Sequence, residues 1–234
     1  MPAKKKRKRR YAAPIGGLFA LLALIGVAAV VMVSIQLTRQ VLDNSAEKQK
    51  LEDIIRPVVM FDPVPFENVA DIDPVQMLQY SMWSTLTGER RATYTFGENA
   101  ELLVPSSDLE VAAAKLFGST VSLQHQTFGD YQVTYYYDRD NEVYDVPVIA
   151  QQVYTPRVDK IDWDKESDLY IVLVGYIPPG NAWTTNFRGE RGQPEPDKYM
   201  LYVMKRVRGG YELVAVRDTP AAVAGATEMR GTYG

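Results

Sequence analysis

The sequence predicts an N-terminal transmembrane helix followed by an α+β extracytoplasmic domain, in which two helices pack on a curved antiparallel sheet of about six strands. Three observations lead to this class. Residues 15–35 carry no charged side chain, two later segments repeat apolar residues with a period near 3.6, and the period changes to 2 after Gly118. Helices that precede a run of strands are typical of α+β folds.

Charge divides the 234-residue chain into two unequal parts. The first ten residues hold seven of the 26 basic residues and no acid, so the remainder carries 19 basic and 29 acidic residues. A hydrophobic content of 46% excludes a disordered chain. The absence of cysteine and the single histidine exclude disulfide scaffolds, thiol nucleophiles and multi-histidine metal sites. The basic cluster comprises Lys4, Lys5, Lys6, Arg7, Lys8, Arg9 and Arg10.

The uncharged run predicts a membrane anchor. Its 21 residues would span about 30 Å as a helix, which matches the apolar thickness of a bilayer. The positive-inside rule keeps the basic end in the cytoplasm and places the rest of the chain outside. A cleaved signal peptide would have a shorter apolar core, and a nuclear or nucleic-acid signal does not fit a basic cluster beside a membrane span. We therefore expect a single-pass, uncleaved signal-anchor in the lipid bilayer of the cell membrane, and no nucleic-acid partner.

Five segments follow from this assignment. They are a basic cytoplasmic tail (1–13), a transmembrane helix (14–38), a juxtamembrane stalk helix (39–56), an extracytoplasmic α+β domain (57–218) and a flexible tail (219–234). Pro57 is expected to stop the stalk helix. The stalk is too short for a convincing coiled coil, although a weakly dimerising stalk remains open.

Two helices are expected inside the domain. Asp73 and Pro74 form an N-cap followed by a proline at the first helical position, and Met77, Leu78, Met82 and Leu86 form the buried stripe. The second helix is expected to begin with a capping box between Ser107 and Glu110 and to end at Gly118.

Alternation of apolar and polar residues predicts the strands. A short strand is expected at 91–96, a short apolar run lies at 102–104, and alternation resumes at 121–125. Six strands then form three hairpins, which pair 131–137 with 144–148, 158–163 with 169–177, and 199–207 with 211–217. Leu169–Val174 is apolar throughout, which is typical of a central strand. This order of elements resembles the cystatin-like and nuclear-transport-factor-2-like folds, in which helices lie in the mouth of a bent sheet.

Catalytic and metal-binding motifs are weak in this chain. It has no Gly-x-Ser-x-Gly, phosphate-binding loop, dinucleotide fingerprint or His-Glu-x-x-His. Residues 138–142 resemble the start of a calcium loop without its glycine and distal glutamate, so a polar turn is expected there. We predict no cofactor, no metal and no catalytic residue. An enzyme with carboxylates from Asp159, Asp162 and Glu190 remains an alternative.

The connection between residues 178 and 197 is the strongest candidate for binding. It is far longer than ordinary hairpin loops, and aromatic and arginine side chains within it suit contact with a partner. The candidate residues are Trp183, Phe187, Arg188 and Arg191. The alternative is that Trp183 and Phe187 pack back onto the sheet and only hold the loop. The sequence thus predicts a non-catalytic binding or structural module of the bacterial cell envelope, whose partner is an envelope protein or a cell-wall polymer. An assembly subunit that dimerises through stalk and span is the further alternative.

Overall fold

Three helices and two four-stranded antiparallel sheets form the part of the chain that this computed structural model describes. The described residues are 44–149, 152–180, 184–185, 191–192 and 194–220. The α+β class is confirmed, but two separate sheets replace the single curved sheet that the sequence predicted. The predicted basic tail, the transmembrane helix, the first residues of the stalk and residues 221–234 lie outside the described ranges. No helix within these ranges is long and apolar enough to cross a membrane.

The first helix, α1, covers residues 44–59 and continues through Pro57, so the predicted end at Arg56 is one turn too early. Val58 and Val59 are completely buried, and Met60 donates a backbone hydrogen bond to the Arg56 carbonyl at 3.0 Å. Because burial of this last turn outweighs the one N–H that proline lacks, the helix extends past the residue at which sequence rules end it. Residues from Lys48 onward belong to one compact unit, so most of α1 is part of the domain.

Helix α2 (Pro74–Thr87) begins as the sequence predicted. The Asp73 carboxylate accepts hydrogen bonds from the backbone N–H groups of Val75 at 2.9 Å and Gln76 at 3.2 Å. Its apolar side chains divide between two cores. Met77 and Tyr80 enter the core of the larger sheet, whereas Leu78, Met82 and Leu86 enter the core of the smaller sheet. Helix α2 therefore lies between the two sheets.

Helix α3 (Ser106–Phe117) is confirmed, but its predicted capping box is wrong. The N-cap residue is Pro105, which offers no side-chain acceptor. Asp108 is buried instead, and its carboxylate accepts hydrogen bonds from Arg90 at 2.5 Å and from the Tyr94 hydroxyl at 2.9 Å. The helix ends at Gly118, whose φ of +99° explains the glycine that the sequence predicted there.

The smaller sheet has the strand order β1-β4-β3-β2. Its strands are β1 (Leu102–Pro105), β2 (Phe128–Gly129), β3 (Thr134–Asp138) and β4 (Val143–Val146). The β3–β4 hairpin is confirmed, and its turn is polar as expected, since Asp138 accepts from the backbone of Asp140 and Asn141.

The larger sheet has the strand order β10-β9-β6-β5. Its strands are β5 (Thr155–Asp164), β6 (Leu169–Ile177), β9 (Lys198–Val207) and β10 (Gly210–Asp218). Both predicted hairpins and the central position of β6 are confirmed. Beneath the sheet the Tyr176 and Tyr202 hydroxyls lie 2.6 Å apart, and burial raises the pKa of both groups. Burial also raises the pKa of neighbouring Tyr80 to about 12.

Two predicted strands are absent from the described residues. The segment expected to form a strand at 91–96 instead contains a 3₁₀ helix (Glu89–Thr93) followed by one isolated bridge between Phe96 and Leu102. Residues 121–125 keep the predicted alternation of half-buried and exposed side chains but have no ladder partner. The alternation of side chains at 121–125 was thus predicted correctly, whereas the backbone pairing of this segment with a neighbouring strand was not.

Candidate functional site

A groove of about 720 Å³ lies between α2, the edge of the smaller sheet and the connection that leads to β5. This volume is within the range of about 300–1,000 Å³ that is usual for ligand-binding pockets. Representative lining residues are Phe61, Val75, Gln79, Gly129, Asp130 and Ile149. A smaller cavity of about 320 Å³ lies beside Met77 and Phe117.

Two residues that line the groove, Phe61 and Tyr135, contact Trp83 of α2. Phe61 follows α1, and its ring centroid is 5.9 Å from that of Trp83 on α2. The indole N–H of Trp83 donates a 3.0 Å hydrogen bond to the Tyr135 hydroxyl on β3. Next to Phe61, Asp62 forms an ion pair with Lys198 of the larger sheet. These contacts fix the end of α1, α2 and the smaller sheet around one opening.

Polar side chains on the wall of the groove are mainly carboxamides, from Gln79, Gln132 and Gln152. Asp130 contributes a carboxylate, and its Oδ1 already accepts backbone hydrogen bonds from Gln132 at 2.8 Å and Val133 at 2.9 Å. No lysine, arginine or histidine occurs among the described lining residues. The described lining therefore carries one negative charge and no positive charge, which disfavours an acidic ligand.

Aliphatic side chains form part of the rim. Val75 is 39% exposed and Ile149 is 44% exposed, and both line the groove. Exposed apolar side chains grouped around an opening are typical of binding surfaces. Nothing in the sequence indicates that Val75 and Ile149 line the same groove, because only the tertiary fold brings them to it.

Most of the sequence-predicted site residues lie outside the described residues. Trp183, Phe187 and Arg188 are among them, and so is Glu190 of the alternative enzyme hypothesis. Arg191 belongs to β8 (Arg191–Gly192), which pairs with β7 (Thr184–Thr185). The long connection, called the arm below (residues 178–197), thus contains a two-stranded ladder of its own.

The return of the arm to the larger sheet is firmly held. The Asp197 N–H donates to the Tyr176 carbonyl at 2.8 Å, and Arg157 Nη1 donates to the Pro194 carbonyl at 2.8 Å. Pro196 lies over Gly175, where an added Cβ would be only 2.5 Å from the Pro196 Cγ. Glycine at this position is therefore required for the arm to pack on β6.

The carboxylates of the alternative enzyme hypothesis have partners on their own strand. Asp159 receives two hydrogen bonds from Arg157, at 2.7 and 3.0 Å. Asp162 forms an ion pair with Lys160 at 2.6 Å. Burial alone would lower the pKa of Arg157, but its hydrogen bonds and charge interaction with Asp159 raise that pKa overall. These contacts give Asp159 a role in holding β5 and the base of the arm.

Comparison with protein-family models, with curated proteins and with solved structures finds no match to this chain. The resemblance to cystatin-like and nuclear-transport-factor-2-like folds therefore remains a prediction from the order of elements.

Proposed function

We propose that this protein is a single-pass, membrane-anchored binding module of the bacterial cell envelope, with its α+β domain outside the cytoplasm and the groove as its binding site. The observation that carries the proposal is the groove itself, which has an aliphatic rim and a wall of carboxamides. Three carboxamides and aliphatic side chains suit binding through hydrogen bonds and apolar contact, and Oδ1 of the one carboxylate, Asp130, already accepts two backbone hydrogen bonds, so the role that we propose is non-catalytic binding.

The proposed anchor rests on the sequence. The uncharged run of residues 15–35 and the seven basic residues before it support a helix that spans the bilayer at 14–38 with its N-terminus inside. Protease added to intact spheroplasts should then remove the domain and leave the N-terminal tail protected. Protection of the whole chain, or its release from membranes by high salt, would contradict the anchor and its orientation.

The arm is a second contact surface in this proposal. Contacts of Arg157, Gly175 and Asp197 hold its base on the larger sheet. Trp183→Ala together with Arg188→Ala tests this surface independently of the groove.

Purification of the full chain from solubilised membranes tests the groove. Val75→Glu and Ile149→Glu each place a charge at an apolar rim and should remove the envelope component that co-purifies with the parent chain. The matched control is Val111→Glu on α3, because Val111 is 47% exposed and does not line the groove. Equal recovery of the component with all three variants would contradict the proposed site.

A further inference from the structure

We propose that the groove binds an extended, uncharged peptide segment of a partner protein, which adds a strand to the free edge of β2 at Gly129. This inference rests on the proposed function, because it names the class of ligand for the same groove.

The edge strands of the two sheets are the starting observation. Three of the four have their outer edges engaged. Phe66 pairs with Val216 on β10 through two backbone hydrogen bonds, at 2.8 and 2.9 Å. Leu103 on β1 donates to the Thr95 carbonyl at 2.9 Å.

On β5, side chains of α1 cover the edge. Lys48 Nζ donates to the Asp159 carbonyl at 2.7 Å, and the Val158 N–H donates to Glu52 Oε1 at 2.8 Å. The same part of β5 contains a bulge between Val158 and Lys160. Covering and bulging are two ways in which proteins prevent a strand edge from pairing with another chain.

The edge of β2 has no such cover among the described residues. Asp130 donates to the Val133 carbonyl at 2.9 Å, and Phe128 pairs with Tyr135. Because hydrogen-bonded and non-hydrogen-bonded pairs alternate along an antiparallel ladder, Gly129 and Thr134 form a pair that does not exchange backbone bonds. The N–H and carbonyl of Gly129 therefore have no ladder partner among the described residues, and Gly129 is exposed and lines the groove.

The backbone groups, the aliphatic rim and the charge of the groove indicate which peptide segment can bind at this edge. A peptide strand brings alternating backbone donors and acceptors for Gly129, and every second side chain can contact Val75 or Ile149 at the rim. A strongly acidic segment would be disfavoured, because Asp130 is a carboxylate and the described lining contains no cation. An uncharged segment with aliphatic side chains fits these walls.

Two aromatic side chains of the smaller sheet are not available to stack on a sugar. Sugars bind to exposed ring faces, but Phe128 is 6% exposed and Tyr135 is 2% exposed. Their rings stack on each other at 4.7 Å and belong to the core of the smaller sheet. Backbone groups and aliphatic side chains are among the groups that the groove offers, beside its carboxamides, and these two are the elements of strand addition.

Selective isotope labelling allows a direct test on the full chain in detergent. Only three Phe-Gly pairs occur in the sequence, so labelling phenylalanine with carbonyl ¹³C and glycine with ¹⁵N yields the amide signals of Gly97, Gly118 and Gly129. Gly97 donates to the Glu101 carbonyl at 2.9 Å and Gly118 to the Ala114 carbonyl at 3.0 Å, so both are internal controls. Phe96→Leu and Phe117→Leu each remove one control signal and complete the assignment.

The probe is a terminally blocked pentapeptide of alternating threonine and valine. We expect it to shift the Gly129 signal alone and to slow exchange of that amide by about tenfold or more, while Gly97 and Gly118 stay unchanged. A backbone N-methylated version of the same peptide should have no effect. Val75→Glu and Ile149→Glu should weaken the response at least about tenfold, and Val111→Glu should not, because burying a charge at an apolar rim costs more than 1.4 kcal/mol. Gly129 itself is not substituted, because a Cβ there would lie 2.1 Å from the Val133 carbonyl oxygen.

The outcomes separate this inference from the proposed function. A chitin-type disaccharide that shifts Gly129 when the peptide does not would overturn strand addition and leave the groove as a binding site. Gly129 protected before any peptide is added would show that the edge is occupied by a second copy or by the chain itself, and would also overturn the inference. No response to the peptide, together with equal co-purification by the rim variants, would overturn both.

Discussion

Replacing Leu51 with alanine tests whether α1 is part of the domain core. Leu51 is completely buried, together with Ile55, Val58 and Val59, against β-strands of the larger sheet. Removing three carbon atoms loses about 2.4 kcal/mol of transfer free energy, and the residual cavity brings the expected loss of unfolding free energy to about 3–5 kcal/mol. For a domain of this length, such a loss lowers Tm by about 6–15 °C.

The assay is thermal unfolding of the full chain in detergent, followed by near-ultraviolet circular dichroism, which reports tertiary packing of aromatic rings rather than helix content. Val111→Ala is the matched control, because Val111 is 47% exposed on α3 and should change the unfolding free energy by less than about 0.5 kcal/mol. A Leu51→Ala shift as small as that of the control would refute the reasoning and would make α1 a separable stalk.

Three further predictions concern other parts of the fold. Glu52→Ala leaves the Val158 N–H without its acceptor and should cost about 1–3 kcal/mol in urea unfolding, whereas Glu52→Gln should keep most of that stability. Because burial raises the pKa of Tyr80 from its ordinary value near 10 to about 12, the native state holds this proton more tightly than the unfolded state. The contribution of Tyr80 to the free energy of unfolding is therefore complete below pH 10 and falls by about 1.4 kcal/mol per pH unit between pH 10 and pH 12. Urea unfolding of Tyr80→Phe should show a smaller loss of stability over this pH range, and a loss equal to that of the parent chain would contradict the prediction. Gly175→Val forces Pro196 away from β6, so limited proteolysis between residues 178 and 197 should accelerate; unchanged cleavage would show that the contact does not hold the arm.

Local signals in the sequence predicted the helices and hairpins well. The Asp73-Pro74 start of α2 and the glycine end of α3 depend on backbone chemistry within a few residues, so the sequence contains all the information required. The three hairpins follow from alternation on both sides of short polar turns, and their pairing was predicted correctly. The capping box was wrong because the helix begins at Ser106 with Pro105 as its N-cap, so Ser107 already lies inside the first turn.

Division of the strands into two sheets could not be read from the pattern. Alternation shows that a strand has one buried face but not which other strands share its sheet. The residues of α2 that enter the two cores, such as Met77 and Leu78, are adjacent in sequence and apolar alike. For the same reason the extent of α1 was missed, because burial of Val58 and Val59 beneath the larger sheet outweighs the local effect of Pro57.

The candidate site could not be predicted for the same reason, because local patterns do not show which distant residues come together. A long arm is visible as an unusually long connection, and Gly175 explains where it packs. The groove combines Phe61, Val75, Gly129 and Ile149, which are separated by up to about ninety positions and share no motif. Gly129 could have been noticed only as a glycine beside a predicted strand, since its free backbone groups depend on the ladder with β3.

Photo-crosslinking in intact cells tests the central claim most directly. A benzoyl-phenylalanine introduced at position 75 of the full chain lies at the rim of the groove, whereas the same group at position 111 lies on the outer surface of α3. We predict a discrete adduct with one extracytoplasmic protein from position 75 and none from position 111. Equal labelling from both positions, or no adduct from position 75, would contradict the assignment of the groove as the binding site.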